Sequence, residues 1–413
     1  MQIGGRRIPT LINKGNHKMC SNEKALKGIR ILDFTQQLSG PYASMVLGDL
    51  GAEIIKIEKP GGDDTRTSPP FLNGESAFYM SMNRGKKSII LDLKKTEHQQ
   101  IALELAAKAD IVMENARPGV MSRLGLGYNE IRKSNPKIIY ASISGFGQNG
   151  PYRDRGGLDI VIQAMSGLMS ITGEKGGRGM KTGSSISDMF SGCYAAIGIL
   201  AALNYRNISG EGQYLDISML DSTIAILENF INDYCVAGVV PEPAGNRHTG
   251  LAPFQPFETL DGEIIAGGIN NKLWESFCKA LGLENLIEDE RFLATAQRLA
   301  NIDVLAEMIT EKTKTKTTME WEQLFDTIGI PYGTVNTVDK VIKDPQVAAR
   351  NMIVEVEHPI AGTFKMAGSP LKMSKTPAVA NTIAPILGQH MREILKDVLG
   401  KNESEINRII KDE

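Results

Sequence analysis

Between residues 29 and 144 the chain alternates between short apolar runs rich in β-branched residues and longer segments with apolar residues at helical spacing. Residues 29–34 (IRILDF), 53–58 (EIIKIE), 88–91 (SIIL), 110–114 (DIVME) and 137–144 (KIIYASIS) read as strands. Residues 41–49 and 97–107 read as helices between them, the first closed by Gly51. Strands separated by helices do not pair as hairpins. They form a parallel sheet with helices on its faces, an α/β fold. Ligands on such sheets sit at the carboxyl ends of the strands. Here those ends carry residues 35–40, 59–66, 92–94, 115–119 and 145–150.

Lys59, Arg66, Lys94, Arg117 and Arg123 fall in or just after these loops. Each alone reads as solvated surface. As a set along one edge of a sheet they suit an anionic ligand with several phosphates. Residues 145–150 (GFGQNG) match the GxGxxG spacing, but PYRDRGG follows rather than a helix, and the match lies far beyond the first strand–helix turn. A dinucleotide fingerprint needs both features, so no nicotinamide cofactor is expected.

Residues 182–206 (TGSSISDMFSGCYAAIGILAALNYR) read as a buried helix whose start carries Ser184, Ser185, Ser187 and Asp188. Such residues cap helices by accepting from the first free N–H groups. The helix dipole there would keep Asp188 ionised. Two roles fit it, a simple cap or a carboxylate nucleophile or base.

With 48 acidic and 46 basic residues the chain lacks the basic surface that nucleic acid requires. No apolar run reads as long enough to cross a membrane. Cys20, Cys193, Cys235 and Cys278 are scattered, which fits a reducing cytoplasm. The five histidines, His17, His98, His248, His358 and His390, are equally dispersed, and no metal site is expected. Residues 1–18 are basic without an apolar core, which argues against a secretory signal, and 1–25 read as a disordered extension.

Several blocks in order then carry a specific likeness: LKGIRILDF, SGPYASMVLGDLGAEIIKIEKPGGDDTR, MNRGKKSIILDL, ADIVMENARPGVMSRLGLGY and SGFGQNGPYRDRGGLD, followed by GEGQYLDISMLDS, DERFLATAQRLAN, GIPYGTVNTV and APILGQH. Together they resemble the class III coenzyme A transferases, the group of formyl-CoA, carnitine and bile-acid CoA transferases. The resemblance implies that Asp188, in SISDMFSG, is the nucleophile. It implies a coenzyme A site formed by Leu38, Ser39, Lys59, Leu91, Asp92, Leu93, Lys94, Asn115, Ala116, Arg117 and Arg123, with Arg117 and Arg123 meeting the phosphates. Gly267 and Gly268 are candidates for oxyanion stabilisation, or else a turn after a strand. The substrates would be an acyl-CoA and a small carboxylic acid. Related racemases place a His before the Asp where this chain has Leu158-Asp159, so racemisation is the alternative within the family. A non-enzymatic CoA-binding role is the alternative outside it.

The resemblance further implies a Rossmann-like large domain with a smaller α+β domain inserted, and two chains interlocked as rings. Pro241, Pro243, Pro253 and Pro256 mark a linker. The organisation expected is a large-domain part over 26–230, a linker and small domain over 231–335, and a return to the large domain over 336–413. Within the small domain, 264–268, 273–281 and 304–313 read as regular elements, and 389–399 as a helix of the return.

Overall fold

Six short runs dominated by Ile, Val and Leu form the central sheet: β1 Arg30–Asp33, β2 Glu53–Glu58, β3 Lys87–Ile90, β4 Ile111–Glu114, β5 Ile139–Ser144 and β6 Tyr214–Ser218. In this computed structural model, which describes residues 24–268 and 270–411, all six pair in parallel. The proposed extension over 1–25 lies almost wholly outside the described residues. The strand order is β3–β2–β1–β4–β5–β6. The chain therefore runs outward from β1 to β3 and returns to the other side of β1 at β4. This is the doubly wound order, with its switch point between β1 and β4.

Alternate side chains of each strand enter opposite cores. Leu32, Ile55, Ile89, Val112 and Tyr140 face one side, against α2 (Thr96–Ala107). Ile31, Ile54, Ile111, Ile139 and Ile143 face the other, against α1 (Ser39–Asp49) and a later helix through Ala195, Ile199 and Leu203. Met391, Ile394, Leu395, Ile406 and Ile409 bring the C-terminus back onto the first side. Over 389–399 the chain forms a short α-turn, Met391–Glu393, and a π-turn, Ile394–Val398.

A third core is separate. Three antiparallel strands, β7 Gln255–Glu258, β8 Glu263–Ala266 and β9 Tyr332–Gly333, pack against Trp274, Phe277, Leu305, Ile309, Trp321 and Phe325 from the helices between them. The sequence reading did not resolve β6, nor the antiparallel hairpin of β10 Ile353–His358 and β11 Gly362–Ala367.

Candidate active site

The turn after β1 is fixed from below by charge. Asp33 is fully buried, and its carboxylate accepts from Thr35 N (2.9 Å), Ser44 Oγ (2.6 Å) and Lys86 Nζ (3.1 Å). Lys56, buried in the middle of β2, donates to the Thr35 carbonyl at 2.8 Å and to Asp63 at 2.9 Å. Across the switch point, Asn115 holds the peptide of Gln36 from both sides, accepting its N–H at 2.9 Å and donating to its carbonyl at 2.8 Å. Gln37 then takes a φ of 67°, and Leu38 leads into α1. A Cβ on Gly40 would lie 2.3 Å from the Thr35 side chain, so only glycine closes this turn.

The opposite wall comes from two helix starts, α3 (Asp159–Met165) and α4 (Ile186–Ser209). Gly145 and Gly157 cross backbone to backbone, a Cβ on either falling 2.4–2.6 Å from the other's Cα. This contact delivers Leu158 and Asp159 to the end of β5. Asp159 accepts from the Ser187 N–H at 3.0 Å, and so caps α4 from outside. Its other oxygen accepts from Gln163 Nε2 at 2.7 Å, while Gln163, fully buried, accepts from the Thr182 N–H at 2.9 Å.

The capping role suggested for Asp188 therefore belongs to Asp159. Ser185 is the N-cap residue of α4, without a side-chain cap, and Asp188 lies inside the first turn. Its carboxyl is also not held ionised as the helix start suggested. Burial pushes its pKa up to about 7, the nearby Asp159 carboxylate adds to the rise, and hydrogen bonding from Ser39 offsets only part of it. Near neutral pH both protonation states are populated, and the ionised one is poorly solvated.

Asp188 opens into a cavity of about 540 Å³ at the switch point, lined also by Leu38, Ser39, Asn115, Leu158 and Lys181. Of the residues expected to bind coenzyme A, three therefore share the cavity with the nucleophile candidate. The others lie along the same sheet edge outside its walls. Arg117 is exposed, with Nη2 beside Gly156 at the rim, and Arg123 is exposed above Gly119. Neither guanidinium has an ion-pair partner among the described residues. Lys94 is exposed, and its N–H is held by the Asp92 carboxylate at 3.1 Å. The Ala116 N–H donates to Glu114 at 2.8 Å. Leu91 is core and Leu93 packs against that core, leaving mainly their backbone for a ligand. Lys59 sits in an exposed ion pair with Asp64.

Other expectations need correction. Arg66 is not a free cation, because its guanidinium is bidentate to Glu58 at 2.7 and 2.8 Å and stacks on Tyr79. Gly267 and Gly268 do not line the cavity. A Cβ on Gly267 would meet the Pro253 carbonyl at 2.1 Å, and one on Gly268 the Trp274 Cα at 2.6 Å, so close backbone packing accounts for both. Over 145–150 the chain runs on into turns rather than a helix, and Gly145 serves the crossing with Gly157.

The helix α4 itself is, contrary to the sequence reading, long and apolar enough to cross a membrane. Its composition has another cause. One face, Ser191, Ala195, Ile199 and Ala202, is built into the sheet core. The other, Phe190, Tyr194, Ile197, Tyr205 and Ile208, is exposed.

The sequence reading missed Gln163 and Lys181. A signal for the first existed, since DIVIQAM has helical spacing with one amide among apolar residues. Nothing local marked Lys181.

A doubly wound sheet with an unpaired carboxyl at its switch point and free arginines along the same edge suits acyl transfer on a phosphate-bearing carrier. Comparison with known proteins agrees. The profile of CoA-transferase family III matches residues 26–391, and the chain belongs to that family. It is 40% identical over 392 residues to the human succinyl-CoA:glutarate CoA-transferase, spanning 94% of this chain and 90% of that one. It is 37% identical to a succinate–glutarate CoA-transferase of Agrobacterium fabrum, spanning 92% and 97%. A crystal structure of a CAIB/BAIF family protein from Brucella suis superposes with a TM-score of 0.81 at 34% identity, covering 91% of this chain and 99% of that one. The protein is an enzyme, a class III CoA-transferase that uses an acyl-CoA as substrate. These relatives are transferases, and the residue preceding Asp159 in the cavity is Leu158, which carries no proton, so nothing favours the racemase alternative.

Proposed function

We propose that Asp188 carries the acyl group and then CoA itself during exchange between two carboxylic acids. A carboxylate oxygen of Asp188 attacks the thioester carbonyl, the C–S bond breaks, and CoA leaves as the thiolate, giving a mixed anhydride. The thiolate attacks the Asp188 carbonyl, the anhydride C–O bond breaks, and the donor acid departs. An incoming carboxylate attacks the resulting aspartyl-CoA thioester and expels the thiolate, forming a second anhydride. The thiolate then takes the new acyl group and frees the Asp188 carboxylate. Charge balances at each step, and no oxidant or net proton is required. The thioester's energy is preserved throughout.

The observation that carries this reading is Asp188 itself, a cavity-lining carboxyl that no cation among the described residues pairs and that burial holds near pKa 7. Desolvation makes its ionised form a stronger nucleophile than an exposed aspartate. The named substrates of the relatives, succinyl-CoA and glutarate, support dicarboxylic acids as the exchanged pair. The exposed stripe of α4, with Ile197 60% and Ile208 81% exposed, supports a homodimer in which a second chain covers it, as in the interlocked arrangement.

Incubation with succinyl-CoA followed by hydroxylamine trapping and peptide mapping tests the mechanism. The expected result is a hydroxamate at Asp188, and its absence together with retained turnover by Asp188→Ala would reject it.

A further inference from the structure

The cavity around Asp188 contains one cation. Among its described lining residues only Lys181 is basic, and only Asp159 and Asp188 are acidic. Asp159 is engaged by Ser187 and Gln163, and Lys181 makes no ion pair with Asp188. The Lys181 ammonium instead donates to the carbonyl of Thr182 at 3.0 Å, and its side chain is exposed. Such a bond to a neighbouring backbone carbonyl is one a substrate carboxylate can replace with a stronger, charge-assisted one.

The backbone on either side of Lys181 is fixed. The Met180 N–H donates to the Thr172 carbonyl at 2.7 Å, and the Thr182 N–H donates to the buried Gln163 at 2.9 Å. Lys181 also lines the neighbouring groove formed by residues 171–175 and 244–247, where the other two cations, Lys175 and Arg247, are both taken up by Asp303. At the junction of cavity and groove, then, a lysine with an anchored backbone and an uncommitted charge faces the space beyond the nucleophile.

We propose that Lys181 binds the distal carboxylate of the acid undergoing transfer and thereby selects dicarboxylic over monocarboxylic acids. The inference rests on Asp188 as the site of acyl transfer. It places one carboxyl of the acid at Asp188, where it reacts, and the other at Lys181, where it does not. A flexible ammonium on a fixed backbone suits acids of slightly different length, because the side chain can follow the distal group. Monocarboxylic acids would leave Lys181 bonded to Thr182 and gain nothing from it.

The test uses succinyl-CoA as donor and compares glutarate with pentanoate as acceptors, in the full-length protein and its Lys181→Met and Lys181→Glu variants. Both acceptors share the donor half-reaction, so any effect on the donor cancels in their ratio. Lys181→Met is expected to lower the glutarate-to-pentanoate ratio of kcat/KM about ten-fold or more, mainly through the KM for glutarate. Lys181→Glu is expected to lower it further and to raise the relative use of 5-aminopentanoate. An unchanged ratio in both variants overturns the proposal. Hydroxylamine trapping at Asp188, run on the same samples, separates this outcome from a failure of the mechanism itself, since adducts would still form if only Lys181 had been misassigned.

Discussion

Asp33 and Asp188 each accept a hydrogen bond from a serine of α1, Ser44 and Ser39, and they differ in how their charge is met. Asp33 is the more deeply buried, and burial alone would raise its pKa. Lys86, Lys56, Ser44 and Thr35 together outweigh that effect and hold it below the usual aspartate range. Asp188 is less deeply buried, yet burial lifts its pKa to about 7, because the Asp159 carboxylate adds to the rise and only one serine opposes it. Burial acts on both acids, and what separates their pKa values is how far their partners offset it. Position matters as well, since burial raises Glu114 to about 7 too, but it lies in a separate small cleft among Tyr128, Tyr140 and Tyr214 and outside the Asp188 cavity.

The comparison breaks most visibly by deletion. Asp188→Ala should reduce CoA transfer by roughly a thousand-fold or more while leaving the fold intact, measured by transfer rate and circular dichroism. Asp33→Ala should act on the fold instead, leaving Lys86 buried without its anion at a cost of about 3–5 kcal/mol in denaturant unfolding. Normal stability in the Asp33 variant would show that its network is not structural.

Proton linkage gives a finer separation. Asp188 has its pKa raised from 3.8 to about 7, so the folded state binds more protons than the unfolded state between those values. Its contribution to stability therefore falls as pH rises across that window and stays low above it. Asp33, with a lowered pKa, contributes stability that is lost only as pH drops through its folded value. Asp188→Asn should accordingly raise Tm more at pH 8 than at pH 5. Transfer rate should climb through pH 7 as the nucleophile ionises. Asp159→Asn removes the like charge and should move that climb to lower pH, at a cost of about 1–3 kcal/mol because one amide N–H would face Gln163. An acid limb that does not move would mean that burial alone sets the Asp188 pKa.

The smallest effects lie at the rim. Arg117→Ala and Arg123→Ala should each weaken CoA binding by roughly 1.5–3 kcal/mol, read by calorimetry. Lys59→Ala should cost less than about 1 kcal/mol, because that lysine is exposed and already paired with Asp64. Equal losses at all three positions would place the phosphates closer to β2 than the free arginines indicate.

Much of this was legible in the chain. Periodicity located β1 to β5, α1 and α2, because strands buried on both faces are nearly continuous in Ile and Val. The helix after Ser185 was legible from its long apolar run, and Asp188 within it. What escaped depended on partners distant in sequence. Arg66 looked like any loop arginine until Glu58 was seen beneath it, and Asp159 became the cap of α4 only because Gly145 and Gly157 cross. The raised pKa of Asp188 depends first on its burial in the fold and then on Asp159 beside it. Tyr214–Ser218 reads YLDIS, in which Asp interrupts the apolar pattern of a strand at the sheet's edge.

The crossing of Gly145 and Gly157 bears on how variation in this chain should be interpreted. Neither residue carries any reactive group, yet a single methyl on either would displace the segment bearing Asp159, and with it both the cap of α4 and the charge that tunes Asp188. Loss of activity among substitutions should thus be as severe at two inert positions as at the nucleophile. A map of mutational sensitivity would rank these glycines with Asp188. Their intolerance would record the spacing of two chain segments, not a part in the chemistry.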